Sequence, residues 1–297
     1  MQEVVETDES PERSALPVTV VKRAISPSRA GDYMQCPLLY RFRVIDRLDE
    51  PRSAAAARGT LVHAVLERIF DVDAGERTIE HALSLLQPQW EALVEQDDQL
   101  NDLVDGEVSA WLAPAARLVE RWFALEDPTR LEPAGRELYV EAEIDGLTLR
   151  GYIDRLDVAP TGEVRVVDYK SGRSPSPLFE AKALFQMKFY ALVLWRTRGE
   201  VPTLLQLVYL ADREILRYQP DERDLLATER KVKALWEAIE LSAHTGDWRP
   251  APSRMCDWCS FKALCPQFGG TPPPLPERAA ERAVDPAFAE VPEVAQD

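Results

Sequence analysis

Apolar residues recur along this chain with two different periods, and the change from one to the other divides it. In "GTLVHAVLERIF" (59–70) Leu61, Val62, Val65, Leu66, Ile69 and Phe70 form one helical stripe, with His63 and Glu67 a turn apart at its edge. Upstream, Ser26 as N-cap and Pro27 at the first helical position predict a short helix running toward Cys36 and Pro37. Between Thr78 and about Leu125, the spacing of Leu83, Leu86, Trp90 and Val94, then of Trp111, Leu118 and Trp122, predicts two or three further helices. The period then drops to two. In "RELYVEAEI" Leu138, Val140, Ala142 and Ile144 alternate with Glu137, Tyr139, Glu141 and Glu143, the pattern of a half-buried strand with a solvated side. Asp145-Gly146 is a two-residue hairpin signal, "LTLRGYIDRLDV" is the returning strand, and "EVRVVDYK" is a third strand after Pro160-Thr161-Gly162. A helix over about 179–196, strands in "TLLQLVYLA" and "EILRYQ", and a helix from about Asp221 to His244 complete an α/β order: a central mixed sheet flanked by helices.

Composition bounds what such a fold serves. The chain has 297 residues, 45% of them hydrophobic, enough for a sizeable core. Its net charge of −16 argues against a wide nucleic-acid footprint, but the excess is uneven. Residues 1–20 hold five acids against one base and residues 269–297 six against two, so half of the excess lies in two Pro- and Ala-containing tails expected to be disordered. The first twenty residues lack the basic and apolar regions of a signal peptide, and even "ALFQMKFYALVLW" is interrupted by Lys188. A cytoplasmic protein with no membrane partner is expected. The absence of GxxxxGK[ST] means that a helicase motor would have to be a separate protein, and the absence of GxSxG removes the commonest serine-hydrolase reading.

The candidate chemistry begins at "VVDYKSG", where the third strand ends. Residues two apart on a strand share a face, so Val164, Val166, Asp168 and Lys170 point one way and Tyr169 the other. An isolated Asp-x-Lys is ordinarily an exposed ion pair of little worth. The preceding strand brings Asp154 toward the same end, and two carboxylates held together repel unless a cation lies between them. Mg²⁺ or Mn²⁺ suits such oxygen donors, with Lys170 left to stabilise charge on a phosphate or to orient an attacking water.

Taken in order, His63 in "GTLVHAVLE", Asp154 in "GYIDRLD", Asp168 and Lys170 in "DYK", and Gln186 and Tyr190 in "QMKFY" resemble the motifs of RecB-like exonucleases of the PD-(D/E)XK superfamily, from about Ser26 to Phe268. The resemblance implies a restriction-endonuclease-like core. It further implies that His63, Asp154, Asp168 and the main-chain carbonyl of Tyr169 ligate Mg²⁺ or Mn²⁺, that Lys170 is the catalytic lysine, and that Gln186 and Tyr190 position DNA, single-stranded or with free ends. Glu67 is expected to orient the His63 imidazole. The implied layout is a nuclease domain over residues 21–268, a helical insertion over about 71–130 and a cysteine region over 245–268. The competing reading is a non-catalytic module that binds DNA ends or a partner.

Cys36, Cys256, Cys259 and Cys265 are all the cysteines of the chain. In a cytoplasmic protein, CxxCxxxxxC with one distant partner reads as a metal site that staples residue 36 to residue 256. Zinc and iron–sulfur clusters both accept four thiolates, and spacing does not choose between them. "YMQCPLLYRFRVI" and "CDWCSFKALCPQF" resemble the arrangement in RecB-like nucleases that carry a [4Fe-4S] cluster, which implies that cluster here. Trp258, between two of the cysteines, is expected to shield it, with base stacking on an exposed aromatic as the alternative.

Overall fold

The computed structural model describes residues 23–176 and 180–284. The strand β1 (Ala24–Ile25) and the helices α1 (Pro27–Gln35), α2 (Pro37–Tyr40), α3 (Ala54–Arg68), α4 (Ile79–Ser84), α5 (Leu86–Gln96) and α6 (Val108–Phe123) precede the main strands. Then come β2 (Gly135–Ile144), β3 (Leu147–Val158), β4 (Val164–Lys170), α7 (Glu180–Arg198), β5 (Leu204–Tyr209), β6 (Glu214–Tyr218), α8 (Glu222–Thr245) and α9 (Ala279–Val284).

The twelve-residue β3 organises the sheet. Asp145 and Gly146 both take positive φ (51° and 77°), the requirement of a tight primed turn, and this pairs Ile144 with Leu147 and fixes the register of the whole β2–β3 ribbon. At Thr148–Leu149 β3 also takes up β1 in parallel; at Arg155–Val158 it pairs antiparallel with β4. β4 then pairs in parallel with β5, and β5 antiparallel with β6, so the sheet is mixed.

Helices cover both faces, and the alternation along β4 and β5 divides the core in two. Val166, Leu205, Leu207 and Tyr209 join the cluster built with α1, α2, α7 and α8; Val167, Tyr169, Val208 and Leu210 join the cluster built with α3 to α6. Strands buried on both sides must be apolar throughout, which leaves polar chemistry to their ends. Helix α7 is apolar almost all round for the same reason, and Lys188 within it is held by Tyr218 Oη at 3.0 Å and Asp224 at 3.1 Å. Asp221 and Asp224 close the α8 N-terminus in a reciprocal capping box.

Two stretches depart from the sequence reading. After α2 the chain makes a π-helical turn over Arg41–Ile45, which periodicity does not foretell. Disorder is expected from residue 269 onward, yet residues 269–284 lie along the body: Tyr40 Oη donates to the carbonyl of Ala283 at 2.8 Å, Arg41 donates to the carbonyl of Pro273, and Ala283 is buried. Specific anchors far away in sequence order a segment whose composition alone would not. The expected tails at 1–20 and 285–297 lie outside the described residues. Among the described residues, no helix is long and apolar enough to cross a membrane.

Candidate active site

The polar ends of β3 and β4 meet the middle of α3. Ser53 caps that helix, its side chain accepting from Ala56 N, and burial of Leu61, Val62, Val65 and Leu66 turns its inner face to the sheet. This seats His63, 9% exposed, over the end of β4. Its Nε2 lies 2.9 Å from the main-chain carbonyl of Tyr169, which only accepts, so Nε2 donates there while Nδ1 faces Asp154 Oδ2 at 3.5 Å. The same Asp154 oxygen accepts from Tyr169 N at 2.7 Å. Thus His63, Asp154 and the Tyr169 main chain come together, as the motif order leads one to expect. Glu67 acts on Glu137 by its charge, and its own carbonyl takes a hydrogen bond from Arg136.

Asp168 and Lys170 emerge side by side from β4. Lys170 Nζ stands 2.9 Å from Asp168 Oδ2 and donates to Gln186 Oε1 at 3.2 Å, and Gln186 Nε2 in turn donates to Tyr190 Oη at 3.4 Å. Gln186 and Tyr190, one turn apart on α7, therefore form a relay ending on the lysine. Tyr190 reaches this place because residue 151 is glycine: a Cβ there would lie 2.7 Å from the tyrosine ring. This buried oxygen has the ammonium as its ion-pair partner but not a full set of hydrogen-bond donors. A buried carboxylate left so is costly, and a bound cation is one remedy.

The functional residue that sequence reasoning missed is Glu137. Read as one of the solvated positions of β2, it instead brings a carboxylate oxygen together with donor atoms of His63 and Asp154, all within 4.8 Å of one another, a group able to hold a metal ion. The signal was available. A turn that pairs 144 with 147 places 137 opposite 154, and two acids facing each other across strands are destabilising without a cation. Glu137 also holds a φ of +41°, a strain of order 1–3 kcal/mol for a residue with a side chain.

Burial and the neighbouring charges also shift titration at this site. The Glu137 carboxyl is pushed up to about 7, first by burial and then by the charge of Asp154, with His63 pulling the other way. Burial lifts Asp168 to about 6, Lys170 opposing and Asp154 adding to the rise. Both acids hold protons more tightly in the folded chain than at their ordinary values of 4.5 and 3.8. As pH rises past those values the unfolded chain releases protons first, so this contribution to stability is full at low pH and is lost between about pH 4 and pH 7. In EDTA, Glu137→Gln is expected to flatten that loss in thermal melts across the same range; a wild-type slope would remove Glu137 as its cause.

The cysteines gather where α1 ends. Cys36 ends α1, and Cys36, Cys256, Cys259 and Cys265 line one cavity together with Leu38 and Phe261. All four are free thiols, and burial, followed by the neighbouring sulfurs, pushes the Cys259 thiol up. Amide groups point at two of them: Ala251 N lies 3.4 Å from Cys36 Sγ and Ser253 N 3.3 Å from Cys256 Sγ. Trp258, the expected shield, is 76% exposed because it closes a short 3₁₀ turn that faces outward, whereas Phe261, packed on Phe42, is buried and lines the cavity. Gly270 closes the region. A Cβ at 270 would fall 2.2 Å from the carbonyl oxygen of Ala263 and 2.7 Å from Cys265 N, backbone that cannot yield cheaply. Gly270→Ala should cost about 1–3 kcal/mol, read as a lower denaturation midpoint; an unchanged midpoint would mean that this backbone moves freely.

Known proteins share this architecture. The family model described as PD-(D/E)XK nuclease superfamily matches residues 24–266. The chain is 27% identical over 269 residues to Gene 69 protein of Mycobacterium phage D29, covering 82% of this chain and 96% of the relative. It is 23% identical over 286 residues to Gene 69 protein of Mycobacterium phage L5, with the same coverage. The crystal structure of a protein named "Putative exonuclease", from Eubacterium rectale, superposes with a TM-score of 0.52 at 13% identity over 85% of this chain and 93% of that one, a likeness of fold. With a match that runs from β1 through the last cysteine, this chain belongs to the PD-(D/E)XK nuclease superfamily.

Proposed function

We propose that the chain is a metal-dependent DNA exonuclease of the RecB-like kind, hydrolysing phosphodiester bonds from free ends in DNA repair, recombination or defence. The observation that carries this reading is the convergence of His63, Glu137 and Asp154 within 4.8 Å, with Asp168 paired to Lys170 alongside. PD-(D/E)XK nucleases generally use divalent metals, and a donor set of one imidazole, the buried carboxylate of Asp168 and the partly exposed carboxylates of Glu137 and Asp154 fits Mg²⁺ or Mn²⁺. When bound, such an ion supplies an activated water and neutralises a phosphate. His63, Glu137, Asp154, Asp168 and the Tyr169 carbonyl would hold it. Lys170, kept in place by Gln186 and Tyr190, would offset charge on the scissile phosphate, so the last two act on DNA largely through the lysine.

The four thiolates around one cavity fit a [4Fe-4S] cluster, with zinc as the alternative. In this reading it staples the start of the nuclease body, residues 21–268, to its cysteine region at 245–268, with residues of about 71–130 as a helical insertion. A separate helicase would deliver unwound strand.

The test is degradation of end-labelled single-stranded DNA by anaerobically purified protein with Mg²⁺ or Mn²⁺, against the same reaction in EDTA, with iron, sulfide and zinc contents of the same preparation. Metal-dependent release of label supports the reading. Bound but intact DNA under every condition would sink catalysis and leave a DNA-end-binding module.

A further inference from the structure

We infer that Tyr139 and Tyr152 form a stacking platform for an unpaired DNA base, beside the acidic site and on the same face of the β2–β3 ribbon; this rests on the nuclease reading above. The two tyrosines are direct cross-strand partners, 44% and 50% exposed, with ring centroids 5.3 Å apart and planes tilted by 58°. A single exposed aromatic needs no explanation. Here two form one surface, and position matters more than exposure. Tyr139 follows Glu137 by two residues and Tyr152 precedes Asp154 by two, so the platform lies one pleat repeat, about 7 Å, along the strands from the acids.

Tyr139 is also held. Tyr139 Oη donates to Glu141 Oε2 at 2.6 Å, and half-buried Arg150, cross-strand from Glu141, interacts with the same tyrosine. A ring fixed in advance loses little freedom when something stacks on it.

The surroundings select the occupant. Glu141 and Glu143 lie exposed on this same face and half-buried Arg150, opposite Glu141, offsets only one of them, so a sugar–phosphate backbone laid against the face meets net negative charge, whereas an uncharged base turned toward the rings does not. Bases in a duplex are stacked on one another and offer no free face; an unpaired base does, whatever its identity. The platform therefore favours a single strand or a frayed end, without sequence preference, and seats the nucleotide next to the bond to be cut.

The experiment compares wild type with Tyr139→Ala/Tyr152→Ala and with Tyr139→Phe/Tyr152→Phe. Binding of a fluorescent oligothymidylate is measured in Ca²⁺, and KM and kcat for its degradation are measured in Mg²⁺ or Mn²⁺. The alanine pair should weaken binding and raise KM about tenfold or more, with kcat at saturation little changed, while the phenylalanine pair, which keeps the rings and loses only the hydroxyl's hold on Glu141, stays within a few-fold of wild type. Weaker binding by the alanine pair in a protein that degrades nothing would overturn the nuclease reading and uphold the platform. Unaltered binding and KM in an active alanine pair would overturn the platform alone, as would a wild type that degrades duplex ends yet binds no single strand.

Discussion

Lys170→Ala should lower kcat for DNA cleavage by about 10²–10³, with KM within a few-fold of wild type. The ammonium is not a surface charge: it leaves the end of β4 beside Asp168 and is aimed by Gln186, which Tyr190 holds in turn. A cation so fixed costs no reorganisation when charge develops on a phosphate, whereas binding of the rest of the strand does not depend on it. Alanine also deprives Asp168 of the neighbour that lowers its pKa, so that carboxyl should protonate more readily and activity that survives should shift toward higher pH. Measurement of kcat and KM across pH checks both effects. An undiminished kcat would take Lys170 out of the chemistry; a rise in KM alone would make it a DNA contact.

Arg155→Ala should destabilise the fold by about 3–5 kcal/mol, the cost of stripping one partner from a buried ion pair. Arg155, its side chain 1% exposed, grips both oxygens of Glu126 at 2.8 and 2.9 Å, while Trp122 and Gln206 donate to the same carboxylate. Its guanidinium also meets the Tyr169 hydroxyl. The network ties the region after α6 to β3, β4 and β5, and it flanks the site on both sides, since Arg155 follows Asp154 and Tyr169 separates Asp168 from Lys170. Lysine would not substitute, because one ammonium cannot reproduce the bidentate fork. Urea denaturation of Arg155→Ala and Glu126→Gln checks this. A loss below about 1 kcal/mol, the scale of an exposed pair, would show that the network is dispensable.

Arg155 also marks where the sequence stops being legible. In "GYIDRLD" it reads as one more polar residue of an alternating strand, and nothing local tells that the Glu126 needed to bury it lies twenty-nine residues away. Local patterns served well where the cause was local. The Asp145-Gly146 turn, the period-two strands, the stripe on α3 and the shared face of Asp168 and Lys170 all stand where they were expected. Glu137 shows a reading taken too far by one rule: alternation put it on the solvated side, while the register set by the turn put it opposite Asp154. Composition misled at residues 269–284, where proline predicted disorder and a few distant hydrogen bonds impose order. Trp258 looked like a shield only because it stands between two cysteines.

The distance in sequence between Cys36 and the other thiols has a consequence in time. A chain growing at about 5–20 residues per second makes Cys36 roughly ten to forty-five seconds before Cys256, some 220 residues later. β1, which precedes Cys36, must likewise wait for Thr148 and Leu149 of β3. During that interval the thiol has neither its three companions nor the half-buried pocket they share, and it is more open to oxidants than in the finished protein. The interval of greatest vulnerability for this cysteine site therefore falls during synthesis, and oxygen exposure at that stage should reduce the yield of intact protein more than the same exposure after folding.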